Sequence, residues 1–179
     1  IDELRVKALV KGMLVLRGQA HQEADQPYVM WHSIIRRICS MVELNDTEAA
    51  ILKPLISDIE ELLGRPIPDA PYLHNENAKQ KMESEQLRLF DFVEQIMRRI
   101  PRPILLLMED LHWADSGSID LLVYLSPFLK QQSIVVLGSY RSDEAPDLPE
   151  KFEHATVTHL SRLGNEVIRE LSTSMLGSA

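Results

Sequence analysis

Two adjacent carboxylates, Glu109 and Asp110, close the aliphatic run Pro103-Ile-Leu-Leu-Leu-Met108. The run is too short for a helix core. It reads as a strand buried on both faces that delivers acids to its C-terminal edge. Open α/β sheets bind their ligands at that edge. An acid pair so placed has the makings of a nucleotide-hydrolysing site: the first acid can hold Mg²⁺ through its water shell, and the second can orient the attacking water. The plainer alternative is a core strand running into a polar loop, with Asp115 capping the helix that follows.

Arg141 is the second candidate. It ends the next apolar run, Ser133-Ile-Val-Val-Leu-Gly-Ser-Tyr-Arg141, so in a parallel sheet it reaches the same edge as the acid pair. A guanidinium there can contact a terminal phosphate as a planar donor, or it can simply pair with Asp143 or Glu144. His112 and Trp113 directly follow the acids. His112 is open to a carboxylate contact, a catalytic part or a structural hydrogen bond, and Trp113 reads as a packing anchor. The other histidines, 21, 32, 74, 154 and 159, show no His-Glu-x-x-His spacing and make no metal case. Ser116 and Ser118 lie in no Gly-x-Ser-x-Gly elbow.

These residues must be positioned by the elements around them. Ile1 to Val10 reads as an amphipathic helix closed by Gly12, and Met13 to Arg17 as a strand. Pro27-Tyr28 opens a helix with apolar positions at Val29, Met30, Ile34, Ile35, Ile38, Met41 and Val42. Asp46-Thr-Glu48 starts a short helix through Leu52, and Pro54 begins another, Leu55 to Leu63, ending at Gly64. Arg65 to Pro71 is a proline-bearing loop. A long helix is predicted from about Asn77 to Arg99, burying Leu87, Phe90, Val93, Ile96 and Met97, with Pro101 and Pro103 ending it. Asp115 caps a helix whose apolar set is Ile119, Leu121, Leu122, Leu125 and Leu129. The run from Ser133 reads as a second buried strand, Ser142 to Pro149 as an acidic loop, Thr156 to Leu160 as a final strand and Asn165 to Leu176 as a final helix. Strands alternating with helices predict parallel βαβ units.

Composition narrows the field. The chain has 179 residues, 45% hydrophobic and 26% charged, with a formal net charge of −8. That suits one domain with a real core and disfavours non-specific binding to nucleic acid or an anionic membrane. Arg36-Arg37 and Arg98-Arg99 fall on predicted helices and read as solvated faces. Cys39 is the single cysteine, so a disulfide framework and a cysteine-based zinc site are excluded, which fits a cytoplasmic setting. No apolar run reaches membrane-spanning length.

Taken together, the motifs resemble the signal-transduction ATPases with numerous domains (the STAND class), in particular their origin-recognition-like AAA ATPase module. The resemblance covers nearly the whole chain. It rests most on Leu105-Leu-Leu-Met-Glu-Asp-Leu-His-Trp-Ala-Asp115, similar to the family's Walker B segment, and Gly138-Ser-Tyr-Arg-Ser-Asp-Glu144, similar to its sensor strand. Arg17-Gly-Gln-Ala20, with Pro27-Tyr28 and Trp31, looks like its second strand and following helix. The fold this implies is an α/β, three-layer P-loop NTPase-like core with a mostly parallel sheet over residues 1–177, carrying a helical insertion at 43–100. By the same resemblance, Glu109 serves Mg²⁺ through water, Asp110 is the base or water-orienting acid, and Arg141 senses the terminal phosphate of ATP. Glu109 stands where the family more often has aspartate. The family's phosphate loop, Gly-x-x-x-x-Gly-Lys-Ser/Thr, is not among the 179 residues: none of the glycines is followed by lysine. The resemblance places that loop just before the helix at Ile1, so the chain reads as a piece of a longer protein, with the lid and helical domains also outside it. The partners it implies are ATP or ADP and other domains of the same polypeptide, whether a protein kinase, an adenylate cyclase, tetratricopeptide repeats or a LuxR-type DNA-binding domain, with nucleotide-dependent oligomerisation.

Two other classes compete. One is a non-catalytic interaction scaffold that keeps the AAA fold, which a degraded upstream loop would favour. The other is an origin-recognition-type DNA-binding ATPase, which the acidic charge disfavours.

Overall fold

The computed structural model describes residues 1–22, 26–69, 78–160 and 164–176. Asn77, the expected first residue of the long helix, lies outside them, as do Pro71 and Gly177. Three strands form one sheet in the order β1 (Leu14–Gln19), β2 (Ile104–Glu109), β3 (Ile134–Gly138), and both pairings are parallel. β1 and β2 run in register from Leu14 opposite Ile104 to Gln19 opposite Glu109. The chain is thus an α/β protein built on parallel βαβ connections, as the alternation of apolar runs predicts.

Side-chain alternation along β2 explains how the sheet is covered. Ile104, Leu106 and Met108 point into the main core, built by α2 (Val29–Cys39), α5 (Ala78–Arg98) and α6 (Ser116–Gln131). Leu105 and Leu107 point the other way, into a small cluster with Ala8 of α1 (Asp2–Val10). Every residue of β2 is therefore buried. In the main core Trp31 is fully enclosed, and its indole N–H donates to the carbonyl of Ser118 at 3.1 Å, so the large ring carries no unpaired polar atom. Emptying that position to alanine should cost about 3–5 kcal/mol.

Helix boundaries follow the capping chemistry. Asn45 and Glu48 form a reciprocal capping box at the start of α3 (Asp46–Leu52). Gly12 and Gly64 adopt left-handed φ of 75° and 67° just beyond α1 and at the end of α4 (Ile59–Leu63). Asp115 caps α6, its carboxylate accepting from Ser118 N at 2.9 Å and Ser118 Oγ at 2.6 Å. It also accepts from the backbone N–H of Tyr28 at 3.1 Å, tying the start of α2 to the start of α6.

Four expectations are corrected. β3 is not a buried strand: Val135 is 55% and Val136 38% exposed, since β3 is an edge strand, of which Ile134 and Leu137 pack against the cores. Thr156 to Leu160 forms no strand and is exposed, since no neighbouring strand offers it a ladder. Leu87 is 53% exposed, and the buried face of α5 instead adds Leu89 and Phe92 to Phe90, Val93, Ile96 and Met97. The helix expected from Leu55 is confined to α4, because Pro54 and the turns after it delay the helical ladder. The final helix forms as read, as α7 (Asn165–Leu176). No described helix is long and apolar enough to cross a membrane.

Candidate functional site

Glu109 ends the central strand and Asp110 follows it with φ 58° and ψ 40°. A non-glycine residue in the left-handed region is uncommon; aspartate tolerates it better than most, and such residues cluster at functional sites. The turn is fixed by Ser139, the residue just after β3. The Asp110 N–H donates to Ser139 Oγ at 3.3 Å, and the Leu111 N–H donates to Ser139 O at 2.9 Å. A 3₁₀ turn, Leu111–Trp113, then carries the chain to Asp115 and α6. Gly138 lies against Leu111, where an added Cβ would come within 2.7 Å of a methyl carbon.

The neighbouring strand supplies two partners that sequence reading had not assigned to the site. Arg17 donates from Nη2 to Glu109 Oε2 at 2.5 Å, and the Glu109 carboxylate is only 12% exposed. This hydrogen bond, with the attraction of the nearby charge, raises the Arg17 pKa above its ordinary value. Gln19 donates from Nε2 to Asp110 Oδ2 at 3.0 Å. The backbone closes the same corner, since Ala20 N donates to Glu109 O at 3.0 Å. Between them, Gly18 lets β1 approach α2: a Cβ there would sit 2.3 Å from the Met30 carbonyl oxygen. The signal for Arg17 and Gln19 was present but indirect. Two strands of equal length, paired in parallel, put the residues at the end of one beside the acids at the end of the other.

Arg141 lies three residues beyond β3, at the edge where β2 also ends. Of the roles open to it, the local ion pair is the one formed here: Nη1 donates to Glu144 Oε1 at 2.7 Å. That contact, and the charge of Glu144, raise the Arg141 pKa, with Asp143 and Asp110 adding to it. Its guanidinium carbon lies 5.8 Å from the centre of the Trp113 ring, an arrangement of the cation–π kind. Behind them His112 is enclosed, with its ring 4.6 Å from that of Trp113.

The edge is therefore a strip of mixed charge, with the acid pair Glu109 and Asp110 between Arg17 and Arg141, and Glu144 beyond. Among the described residues no group of three or more His, Cys, Asp and Glu side chains converges to hold a metal ion. Two cavities of about 580 and 250 Å³ lie elsewhere, one along Arg169 to Ser174 of α7 and one at the opposite end of the sheet near Arg98, Arg102 and Ser133. Neither of these two cavities is lined by the acid pair or its arginines. Compared with protein-family models, with curated proteins and with solved structures, the chain finds no match.

Proposed function

We propose that this chain is the core of a P-loop, STAND-type regulatory ATPase module, in which Mg²⁺-ATP binding and hydrolysis switch a longer signalling protein. What carries the reading is one juxtaposition. An acid pair stands at the C-terminal end of the central strand of a parallel sheet, its second acid in a left-handed backbone, with an arginine from the adjoining strand end on the same edge. Ligands of open α/β sheets gather at that edge.

The donor types suit hydrated Mg²⁺, which takes one or two carboxylates and leaves its other positions to water and phosphate. Such an ion would neutralise phosphate charge beside the acids. Glu109 would hold its water shell, and Asp110 would accept a proton from, or orient, the attacking water. Arg141 would donate to the terminal phosphate, and Arg17 would temper the charge of Glu109 until the ion arrives. Acids alone repel a polyanion, so most of the phosphate affinity must come from backbone donors and a lysine outside this chain.

The test is calorimetric titration with ATP-Mg²⁺ followed by a phosphate-release assay, on this chain and on a longer polypeptide that includes the residues encoded upstream of Ile1. The chain alone should bind little and turn over nothing, and the longer protein should do both. Micromolar binding by the chain alone would show that the affinity lies elsewhere. An upstream sequence without Gly-Lys-Ser/Thr, together with no binding by the longer protein, would leave a scaffold that keeps the fold without hydrolysis.

A further inference from the structure

We infer that His112 is a positioning residue for Arg141, acting through Glu144: it takes over the Glu144 carboxylate when Arg141 turns to an anion at the sheet edge. The inference rests on the proposed nucleotide reading for the identity of that anion. His112 has a side chain with no exposure, yet among the described residues neither ring nitrogen has a hydrogen-bond partner. Buried polar atoms are nearly always paired, so an enclosed orphan imidazole needs a reason. Its Nε2 lies 3.8 Å from Glu144 Oε2, just beyond hydrogen-bond range.

Glu144 divides its oxygens between two partners. Oε1 accepts from Arg141 at 2.7 Å, while Oε2 faces His112 without bonding it. The segment is folded back on itself, because the N–H groups of Glu144 and Ala145 both donate to the carbonyl of Arg141, at 3.2 and 3.0 Å. Glu144 therefore stays beside His112 whatever the Arg141 side chain does. Arg141 is 61% exposed and, among the described residues, is held by this pair and the face of Trp113, which leaves it room to swing. When it leaves, the carboxylate loses its cation at the moment a closing shift of about an ångström would give His112 its missing acceptor. One exchange satisfies both groups. Without His112, releasing Arg141 leaves the Glu144 carboxylate, 38% exposed, with water alone in place of its cation, and the anion must offset the lost pair.

A thermodynamic cycle with ATP-Mg²⁺, in the longer polypeptide, tests the exchange. Glu144→Ala removes the grip on Arg141 and should tighten binding about threefold, the scale of an exposed ion pair. His112→Phe should weaken binding by a similar factor, and His112→Gln, which keeps an N–H donor, should restore most of it. In the Glu144→Ala background His112→Phe should have no effect, since no acceptor remains at that position. Equal losses from His112→Phe in both backgrounds would make His112 a packing residue and overturn the inference. A second arm needs no nucleotide. In the Arg141→Ala chain, ¹⁵N spectra should show a slowly exchanging His112 imidazole N–H that is missing from Arg141→Ala/Glu144→Ala. Its absence from the single variant overturns the exchange. Its presence, with no variant of the longer protein binding ATP-Mg²⁺, overturns the nucleotide reading and with it the positioning role.

Discussion

The two neighbours of the central strand treat it differently. On the β1 side the ladder runs to the last residue, Gln19 opposite Glu109, and both acids are gripped by side chains of β1. On the β3 side the ladder stops at Gly138, the strand is half exposed, and the arginine beyond it is tied to its own loop. The difference divides the labour of the edge. One flank grips the side chains of the acids, whose backbone Ser139 also holds from the β3 side. The other carries a cationic arm whose bond, among the described residues, is local and costs little to release. Rigid placement of acids and a recruitable cation are what phosphoryl transfer asks of a site, because its catalysis is positioning and charge stabilisation.

The largest effect expected of any single change is on chemistry rather than fold. Asp110→Asn keeps the shape, tolerates the left-handed backbone and retains an oxygen for Gln19 to donate to. In the longer polypeptide it should leave ATP-Mg²⁺ binding intact and lower the hydrolysis rate by about 100- to 10,000-fold, read by phosphate release. An unchanged rate would remove Asp110 from the mechanism and leave the grip on the acids a purely structural device.

Matched glycine substitutions set the two flanks against each other. In Gly18→Ala the new methyl meets the Met30 backbone oxygen at 2.3 Å and the Ile34 Cδ1 at 2.8 Å, so β1 and α2 must part. Urea unfolding should record a loss of about 3 kcal/mol. In Gly138→Ala the obstacle is the Leu111 Cδ1 at 2.7 Å, the far end of a flexible side chain. A rotamer change relieves it, and the loss should be about 1 kcal/mol. Equal losses would mean that the β3 flank is as tightly fixed as the β1 flank. Asp115→Ala falls between them at about 2 kcal/mol, because it removes the cap of α6 and the link to the Tyr28 N–H together.

How far the sequence revealed this comparison depends on the flank. Ile104 to Met108 was readable as a doubly buried strand because it is one. Ile134 to Leu137 has the same aliphatic character, and nothing in its residue types distinguishes an edge strand from a central one; neighbours decide that. Thr156 to Leu160 failed for the same reason, having strand-like residues and no ladder to join. Glu109, Asp110 and Arg141 were legible because charge after an aliphatic run is a local pattern. Arg17 was legible only as the end of a strand and Gln19 lay beyond it, since their contacts depend on register with residues about ninety positions away. The Arg141–Glu144 pair was among the local alternatives, being a contact three residues apart.

The smallest effect is a pH dependence on the β1 flank. His32 of α2 is partly buried, and loss of hydration pushes its pKa below the ordinary 6.5, against the opposing pull of Asp58 and Asp115. A depressed pKa means that the unfolded chain takes up the proton first. The stability at stake is therefore present above about pH 6.5 and lost as the pH falls through the lower folded value. The carboxylates that oppose this reading act in another window. Glu48, Asp58 and Glu60 are held below their ordinary values of 4.5, 3.8 and 4.5, chiefly by hydrogen bonds to Arg99, Arg36 and Lys53 respectively, so their contribution fades only at more acid pH. Urea midpoints at pH 7.5 and 5.5 should separate the two. The midpoint should fall modestly across that interval in the natural chain, and less in His32→Gln, while both proteins lose stability alike below pH 4.5. An identical slope in the two proteins between pH 7.5 and 5.5 would show that His32 is as well hydrated in the fold as in the unfolded chain, and that the α2 layer over β1 is looser than its buried neighbours Trp31, Ile34 and Ile35 imply.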